Sequence, residues 1–121
     1  MHFRDARPDD QHQVQALVAA VLAEYGLRFD LTSTDADLVD LAASYPPGRA
    51  AFIVLEQAGR IVGTGAFAPW DELTCEIKKM YLRRSVRGRG WGRRLLVELE
   101  RRARAAGYRR AWLETNSVLV E

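Results

Sequence analysis

The stretch that most limits how this chain can fold is Val86-Arg87-Gly88-Arg89-Gly90-Trp91-Gly92, a glycine-rich segment set between two contrasting runs. Before it, Cys75 to Leu82 is short, mixed and strand-like. After it, Leu95, Leu96, Leu99, Ala103 and Ala106 recur at helical spacing, and Gly107 marks the end of the helix. Strand, tight turn and helix therefore follow one another. The first N–H groups of a helix have no partner within it, and the helix dipole adds partial positive charge there. Gly88, Gly90 and Gly92 leave the backbone open to close approach, and Arg87, Arg89, Arg93 and Arg94 surround it with charge. A diphosphate suits this arrangement. The same residues also fit a tight turn with a solvated basic rim.

Two phosphate-binding patterns can be set aside. A P-loop ends in Gly-Lys-Ser/Thr, and that tripeptide does not occur. A dinucleotide fingerprint reads Gly-x-Gly-x-x-Gly and opens a long βαβ chain. Here the spacing is Gly-x-Gly-x-Gly, and it lies late in a chain of 121 residues.

The segment Arg87-Gly88-Arg89-Gly90-Trp91-Gly92 resembles the (Gln/Arg)-x-x-Gly-x-(Gly/Ala) signature of the GNAT superfamily of acyl-CoA-dependent N-acyltransferases. Glu76 to Leu82 looks like that family's fourth strand, Gly92 to Leu96 opens what looks like its third helix, and Gly107 to Asn116 looks like the turn and fifth strand. The resemblance implies acetyl-CoA as cosubstrate, an amine as acceptor, direct attack by that amine, and no metal. It also implies a fourth helix and two further strands after the fifth. This chain stops at Glu121. The expected fold is thus a GNAT-like mixed α/β sheet flanked by helices, one domain over 1–121, lacking that helix and those strands. An exposed sheet edge would follow, left by a truncated gene product or covered by a partner such as a second copy in a homodimer.

The rest of the chain supplies the frame. Phe3 to Arg7 reads as a first strand and Pro8-Asp9-Asp10 as a helix start. Val14, Leu17, Val18, Val21 and Leu22 keep helical spacing as far as Tyr25-Gly26. Ser33 or Thr34 can cap a second helix carrying Leu38, Leu41 and Ala42, which ends before Pro46-Pro47. Ala51–Glu56 and Ile61–Phe67 form a hairpin about Gln57-Ala58-Gly59-Arg60, with Gly63 and Gly65 marking close approach inside a strand. The predicted order is β-α-α-β-β-β-α-β.

Charge is unevenly divided. Residues 1–76 hold 5 Lys and Arg against 12 Asp and Glu, whereas residues 77–121 hold 13 against 4. A basic half can bind nucleic acid. The arginines, however, track the turn and the outer face of its helix, and Trp91 alone among exposed aromatics is interleaved with them, so nucleic acid ranks last. A non-catalytic acyl-CoA-binding or regulatory module ranks between that and an enzyme. The chain has no long apolar run and no leader pattern, which with one cysteine fits the cytoplasm. Cys75, His2 and His12 have no metal-ligand spacing.

Site residues follow from the resemblance. Glu76 matches the position of a general base. Among Cys75, Ile77 and Met80 it would be partly desolvated, which would raise its pKa; a structural ion pair with Lys78 is the alternative. Asp71 and Glu72 are fallback bases acting through water. The backbone of Met80, Tyr81 and Leu82 would polarise the thioester carbonyl and pair with the pantetheine arm, with core packing by Met80 and Leu82 equally compatible. Arg87, Gly88, Arg89, Gly90, Trp91, Gly92 and Arg93 would hold the diphosphate, and Asn116 the pantetheine. Tyr25, Arg28, Phe29 and Tyr45 are acceptor-contact candidates or, equally, packing residues. The helix that carries the family's tyrosine acid would start at Asn116-Ser117, so no general acid is assigned. Cys75 as nucleophile would need a flanking base, and neither histidine is near it in sequence.

Overall fold

The computed structural model describes residues 1–114. Five strands form one sheet in the order β1-β2-β3-β4-β5, with β1 at His2–Asp5, β2 at Ala51–Gln57, β3 at Arg60–Pro69, β4 at Thr74–Leu82 and β5 at Arg110–Leu113. The first four pair antiparallel and β5 runs parallel to β4. A parallel neighbour needs a crossover, and α3, Trp91–Ala105, provides it.

Alternation along the strands divides the core between two faces. Phe52, Val54, Ile61, Ala66 and Tyr81 face α1, Gln11–Glu24, whose Val14, Leu17, Val18, Val21 and Leu22 are buried. Ile53, Leu55, Val62, Phe67, Cys75, Ile77, Met80 and Leu82 face α3 through Leu95, Leu99 and Ala103. Gly65 sits directly under that helix: a Cβ there would lie 2.8 Å from Leu99 Cδ1 and 3.0 Å from Leu95 Cδ1. The close approach expected of a glycine inside β3 is the seat of α3.

The element order is as predicted, and one element differs. The expected second helix is replaced by a 3-10 turn at Ala36–Leu38 and a single α-helical turn, α2, at Leu41–Ser44. Its cap is Asp40, whose Oδ1 accepts from the Ala43 N–H at 3.2 Å, not Ser33 or Thr34. The cause is local competition for the backbone. Asp30 Oδ1 accepts from both the N–H and the hydroxyl of Thr32, and Asp35 Oδ2 accepts from the Asp30 N–H. Those bonds fold residues 30–35 into turns before a helix can start.

The first strand is also shorter than predicted. Arg4 closes it by donating to Asp10 through two nitrogens at 2.7 and 3.0 Å, and Asp10 Oδ2 accepts from the Arg7 N–H.

Candidate active site

The glycine turn lies where β4 has ended and α3 begins. Gly88 and Gly90 have φ of +75° and +83°, a region side chains seldom occupy. A Cβ at either would meet nothing within 4 Å, so the backbone there faces open space. Gly90 is the N-cap of α3, and its carbonyl accepts the first helical bond, from Arg94 N at 3.2 Å. The N–H groups of Trp91, Gly92 and Arg93 therefore precede any intrahelical acceptor and point out of the helix end. Arg89, Arg93 and Arg94 are exposed around them. Arg94 also stacks on Trp91, 4.7 Å from its centroid, while the half-buried Trp91 ring meets Phe3 edge-on at 6.0 Å. Gly92 is buried within the helix. The turn thus suits a diphosphate: open backbone and helix-end amides lie in a stretch where Arg89 and Arg93 are exposed.

Arg87 is placed differently from the other arginines. Its Nε donates to Leu82 O at 2.9 Å and its two terminal nitrogens grip Glu24 at 2.9 and 3.0 Å. The guanidinium is consumed in bracing the turn, so what Arg87 can offer an anion is its backbone.

Below the turn, among the described residues, β5 pairs with β4 from Thr74 to Ile77, followed by a bond from the Glu114 N–H to Ile77 O at 2.8 Å. Beyond it β4 has, among the described residues, a partner strand on one side alone. A bulge falls at the same place. Thr64 pairs with Tyr81 and Ala66 with Lys78, so Lys79 and Met80 both stand opposite Gly65. Lys79 carries a φ of +57°, rare for a residue with a side chain. The bulge switches parity: Cys75 and Ile77 face α3, and so do Met80 and Leu82. Tyr81 and Lys79 are thereby turned to the α1 face.

On that face a cavity of about 130 Å³ opens, lined by Leu22, Leu27, Arg28, Thr34, Asp35, Lys79, Tyr81 and Glu114. One of its walls, Arg28, is among the acceptor-contact candidates of the sequence, and Tyr81 belongs to the β4 run named there for its backbone. Burial pushes the Tyr81 hydroxyl well above the usual phenol range, and the carboxylate of Glu114 adds to the effect. Tyr25 is exposed, with the Arg87 guanidinium 5.8 Å from its ring. Phe29 is half-buried and packs on the α1-side core.

Tyr45 is not in this cavity. Its ring is buried edge-on against Phe52 at 5.3 Å, and its hydroxyl donates to Asp37. It lines a wider groove of about 530 Å³ between α2 and the C-terminal end of α3. That groove holds neither Glu76 nor Tyr81 nor any turn residue.

Glu76 sits on the α1 face of β4, abreast of Ala68 on β3 and Trp112 on β5. Its side chain is 28% exposed, and its carboxylate lies 3.9 Å from Lys78 Nζ, a loose contact. Trp70 and Trp112 stack beside it, centroids 5.5 Å apart and planes 23° off parallel, and both are more than half exposed. Of the fallback bases, Asp71 is committed elsewhere. Asp71 Oδ1 accepts from the N–H groups of Leu73 and Thr74 at 3.0 and 2.8 Å, which ties it into the β3–β4 turn and lowers its pKa. Cys75 is fully buried, and burial pushes its thiol up, the opposite of what a nucleophile needs. Asn116 lies outside the described residues.

Sequence reasoning missed Lys79, Asp35, Glu24 and the tryptophan pair. For Lys79 a signal existed: apolar residues at 75 and 77 followed by 80 and 82 cannot share a face of a regular strand. Among the described residues no group of three or more His, Cys, Asp or Glu is arranged to hold a metal ion, and no helix is long and apolar enough to cross a membrane.

A mixed sheet whose fourth strand bulges beside a small cavity and leads into a glycine-rich, arginine-flanked helix start is the architecture of an acyltransferase fold. The chain belongs to the Acetyltransferase (GNAT) family, whose model matches residues 15–118. It is 34% identical over 117 residues to an uncharacterized N-acetyltransferase of Escherichia coli K12, YjgM, covering 93% of this chain and 70% of that protein. The structure is similar to a GNAT-family acetyltransferase from Staphylococcus aureus Mu50, with a TM-score of 0.86 at 17% identity, covering 94% of this chain and 72% of that one. It is also similar to an acetyltransferase from Clostridium acetobutylicum solved with acetyl-CoA, with a TM-score of 0.70 at 18% identity, covering 94% and 80%. At these identities the structural likeness concerns the fold.

Proposed function

We propose that the protein transfers an acetyl group from acetyl-CoA to a primary amine of a small molecule or peptide, the amine attacking the thioester directly. The observation that carries this reading is the position of Glu76, the β4 bulge and the glycine turn along one strand and its exit. The cosubstrate supplies the activated acyl group. The chain's own residues do the rest. Backbone amides of Gly88 to Arg93, with Arg89 and Arg93, bind the diphosphate. The β4 edge past Ile77 receives the pantetheine arm as an added strand, and its N–H groups polarise the carbonyl. Glu76 takes a proton from the acceptor ammonium, giving the neutral amine that attack requires. The C–N bond forms and the C–S bond breaks, the electron pair leaving on sulfur and the proton shed by the acylated nitrogen passing through solvent water to the thiolate. The indoles of Trp70 and Trp112 flank the approach to Glu76 and favour an acceptor whose body lies flat along them.

Thermal unfolding with and without acetyl-CoA tests the first half of this reading. At a hundred-fold excess over Kd, binding to the folded state raises the melting temperature by roughly 10 °C for a domain of this size. The variant pair Arg89→Glu/Arg93→Glu should lose that rise without unfolding, because both side chains are exposed. A change at Gly90 would be a poorer test, since its positive φ adds strain to any substitution. A folded wild-type chain that shows no rise overturns the proposal. With binding in hand, release of CoA thiol is followed over a panel of primary amines.

A further inference from the structure

The buried ammonium of Lys79 is used by no step above, yet it is among the most heavily engaged groups in the molecule. Its side chain is 3% exposed. Nζ donates to Asp35 Oδ1 at 3.1 Å and to Thr34 O at 3.1 Å, and lies 3.5 Å from Asp37 Oδ1. Burial by itself would lower the pKa of such a group; Asp37 and Asp35 more than offset this and hold it charged. Its own carbonyl accepts from the buried Thr64 hydroxyl at 2.8 Å, which fixes the bulge from the β3 side.

Asp35 is the other hub. Besides Lys79 it accepts from the Asp30 N–H at 2.9 Å and the Thr34 hydroxyl at 3.2 Å, and it is as buried as the lysine. Asp37 in turn receives the Tyr45 hydroxyl. From above, the α1 glutamines reach the far end of the same segment: Gln15 Nε2 donates to Leu38 O at 2.7 Å, and Gln11 Oε1 accepts from the Leu41 N–H at 3.0 Å. Residues 30–40 have little regular structure beyond the Ala36–Leu38 turn, so these polar side chains hold them together with the buried Leu38. Lys79 ties Asp35 and Thr34 to the sheet.

We propose that Lys79 is a positioning residue: the β4 bulge turns its ammonium onto Asp35 and Thr34, fastening residues 30–40 against the strand and so setting the shape of the cavity beside Tyr81. This goes beyond the transfer reading above and rests on it only in taking the cavity, which the acceptor-contact candidate Arg28 lines, as part of the acceptor side of the site. The strained φ at position 79 then has a purpose. A regular strand would send this side chain to the α3 face, away from the segment it fastens.

Amide hydrogen exchange on the full chain tests the clamp. Lys79→Met and Asp35→Asn should each speed exchange across residues 30–40 by tenfold or more, leaving β2, β3 and α3 within about twofold. Combining them should add little beyond the worse single change. Lys79→Gly accepts the positive φ without strain and removes the whole side chain with its ammonium, so it too should release the segment, as Lys79→Met does. Lys79→Arg, which keeps the charge, should restore most of the protection, a rescue that loss of packing alone would not give. Unchanged exchange over residues 30–40 in Lys79→Met and Lys79→Gly overturns the proposal, as does acceleration spread evenly over the sheet. The melting-temperature rise with acetyl-CoA should persist in Asp35→Asn, whose side chain lies outside the β4 edge. Its absence in the wild-type chain would strike the cosubstrate reading and leave the clamp standing.

Discussion

Arg87 and Glu24 are 63 residues apart in the chain and meet through two parallel hydrogen bonds of 2.9 and 3.0 Å, joining the exit of β4 to the end of α1. The same guanidinium caps the Leu82 carbonyl, and it is 13% exposed. A two-pronged pair with little water access is stronger than an ordinary surface ion pair. Arg87→Ala should therefore cost about 1–3 kcal/mol of stability. Arg87→Lys should recover only part of it, because an ammonium cannot reach both oxygens and Leu82 O together. Urea unfolding with an unchanged m-value would read the difference.

Acid should loosen the fold through the carboxylates that brace it. Asp10 is held below its usual 3.8 chiefly by the hydrogen bond from Arg4, and Glu24 below its usual 4.5 chiefly by Arg87. Asp30 is lowered to about 2, first by the Thr32 hydroxyl and then by its N–H. Each folded pKa lies below the unfolded one, so the unfolded chain binds more protons in between. The stabilisation is complete above the usual carboxylate range and drains as pH falls from about 5 toward 2. Urea midpoints between pH 6 and pH 3 should decline, and Asp10→Asn should flatten part of the slope while lowering the plateau.

Glu76→Gln separates chemistry from folding. Among the described residues the carboxylate makes one loose contact, with Lys78, so the substitution should leave the melting temperature within a few degrees. The rise with acetyl-CoA should also be kept, because Glu76 is remote in sequence and strand position from the turn. The rate of CoA release in the presence of an accepted amine should drop by roughly 10²–10⁴. A variant with near wild-type rates would remove Glu76 from the mechanism.

Gly65→Ala should destabilise by about 1–3 kcal/mol, since its methyl would lie 2.8 Å from Leu99 Cδ1 and 3.0 Å from Leu95 Cδ1. Pairing it with Leu99→Val should recover part of the loss. Because α3 carries the glycine turn at its start, the single variant should also weaken the acetyl-CoA effect on melting. Unaltered stability in Gly65→Ala would mean that the helix is seated more loosely than these distances require.

How far these features could be read from the chain depended on how local they are. The turn at Gly88 to Gly92 and the buried Leu95, Leu99 and Ala103 of α3 follow from spacing within about fifteen residues, and the structure has them where the periodicity puts them. The hairpin of β2 and β3 is equally local. Residues 30–40 defeated the helix reading because Asp30 and Asp35 satisfy neighbouring backbone groups, a competition that apolar periodicity does not register. The bulge at Lys79 was visible as a parity break but not as a contact, since Asp35 is 44 residues away. Tyr45 shows the same limit: an aromatic in the right region was expected at the acceptor, and its hydroxyl is spent on Asp37.

Cys75 is the chain's one sulfhydryl and is sealed in the layer beneath α3, one residue before Glu76 and paired in register with Ala111 of β5. An alkylating reagent cannot reach it while β4, β5 and α3 remain assembled. Its labelling rate is therefore a clock for the opening of that corner of the molecule, ticking only when the fifth strand or the helix lifts away. No engineered probe is needed to time that breathing, because the native sequence already contains it.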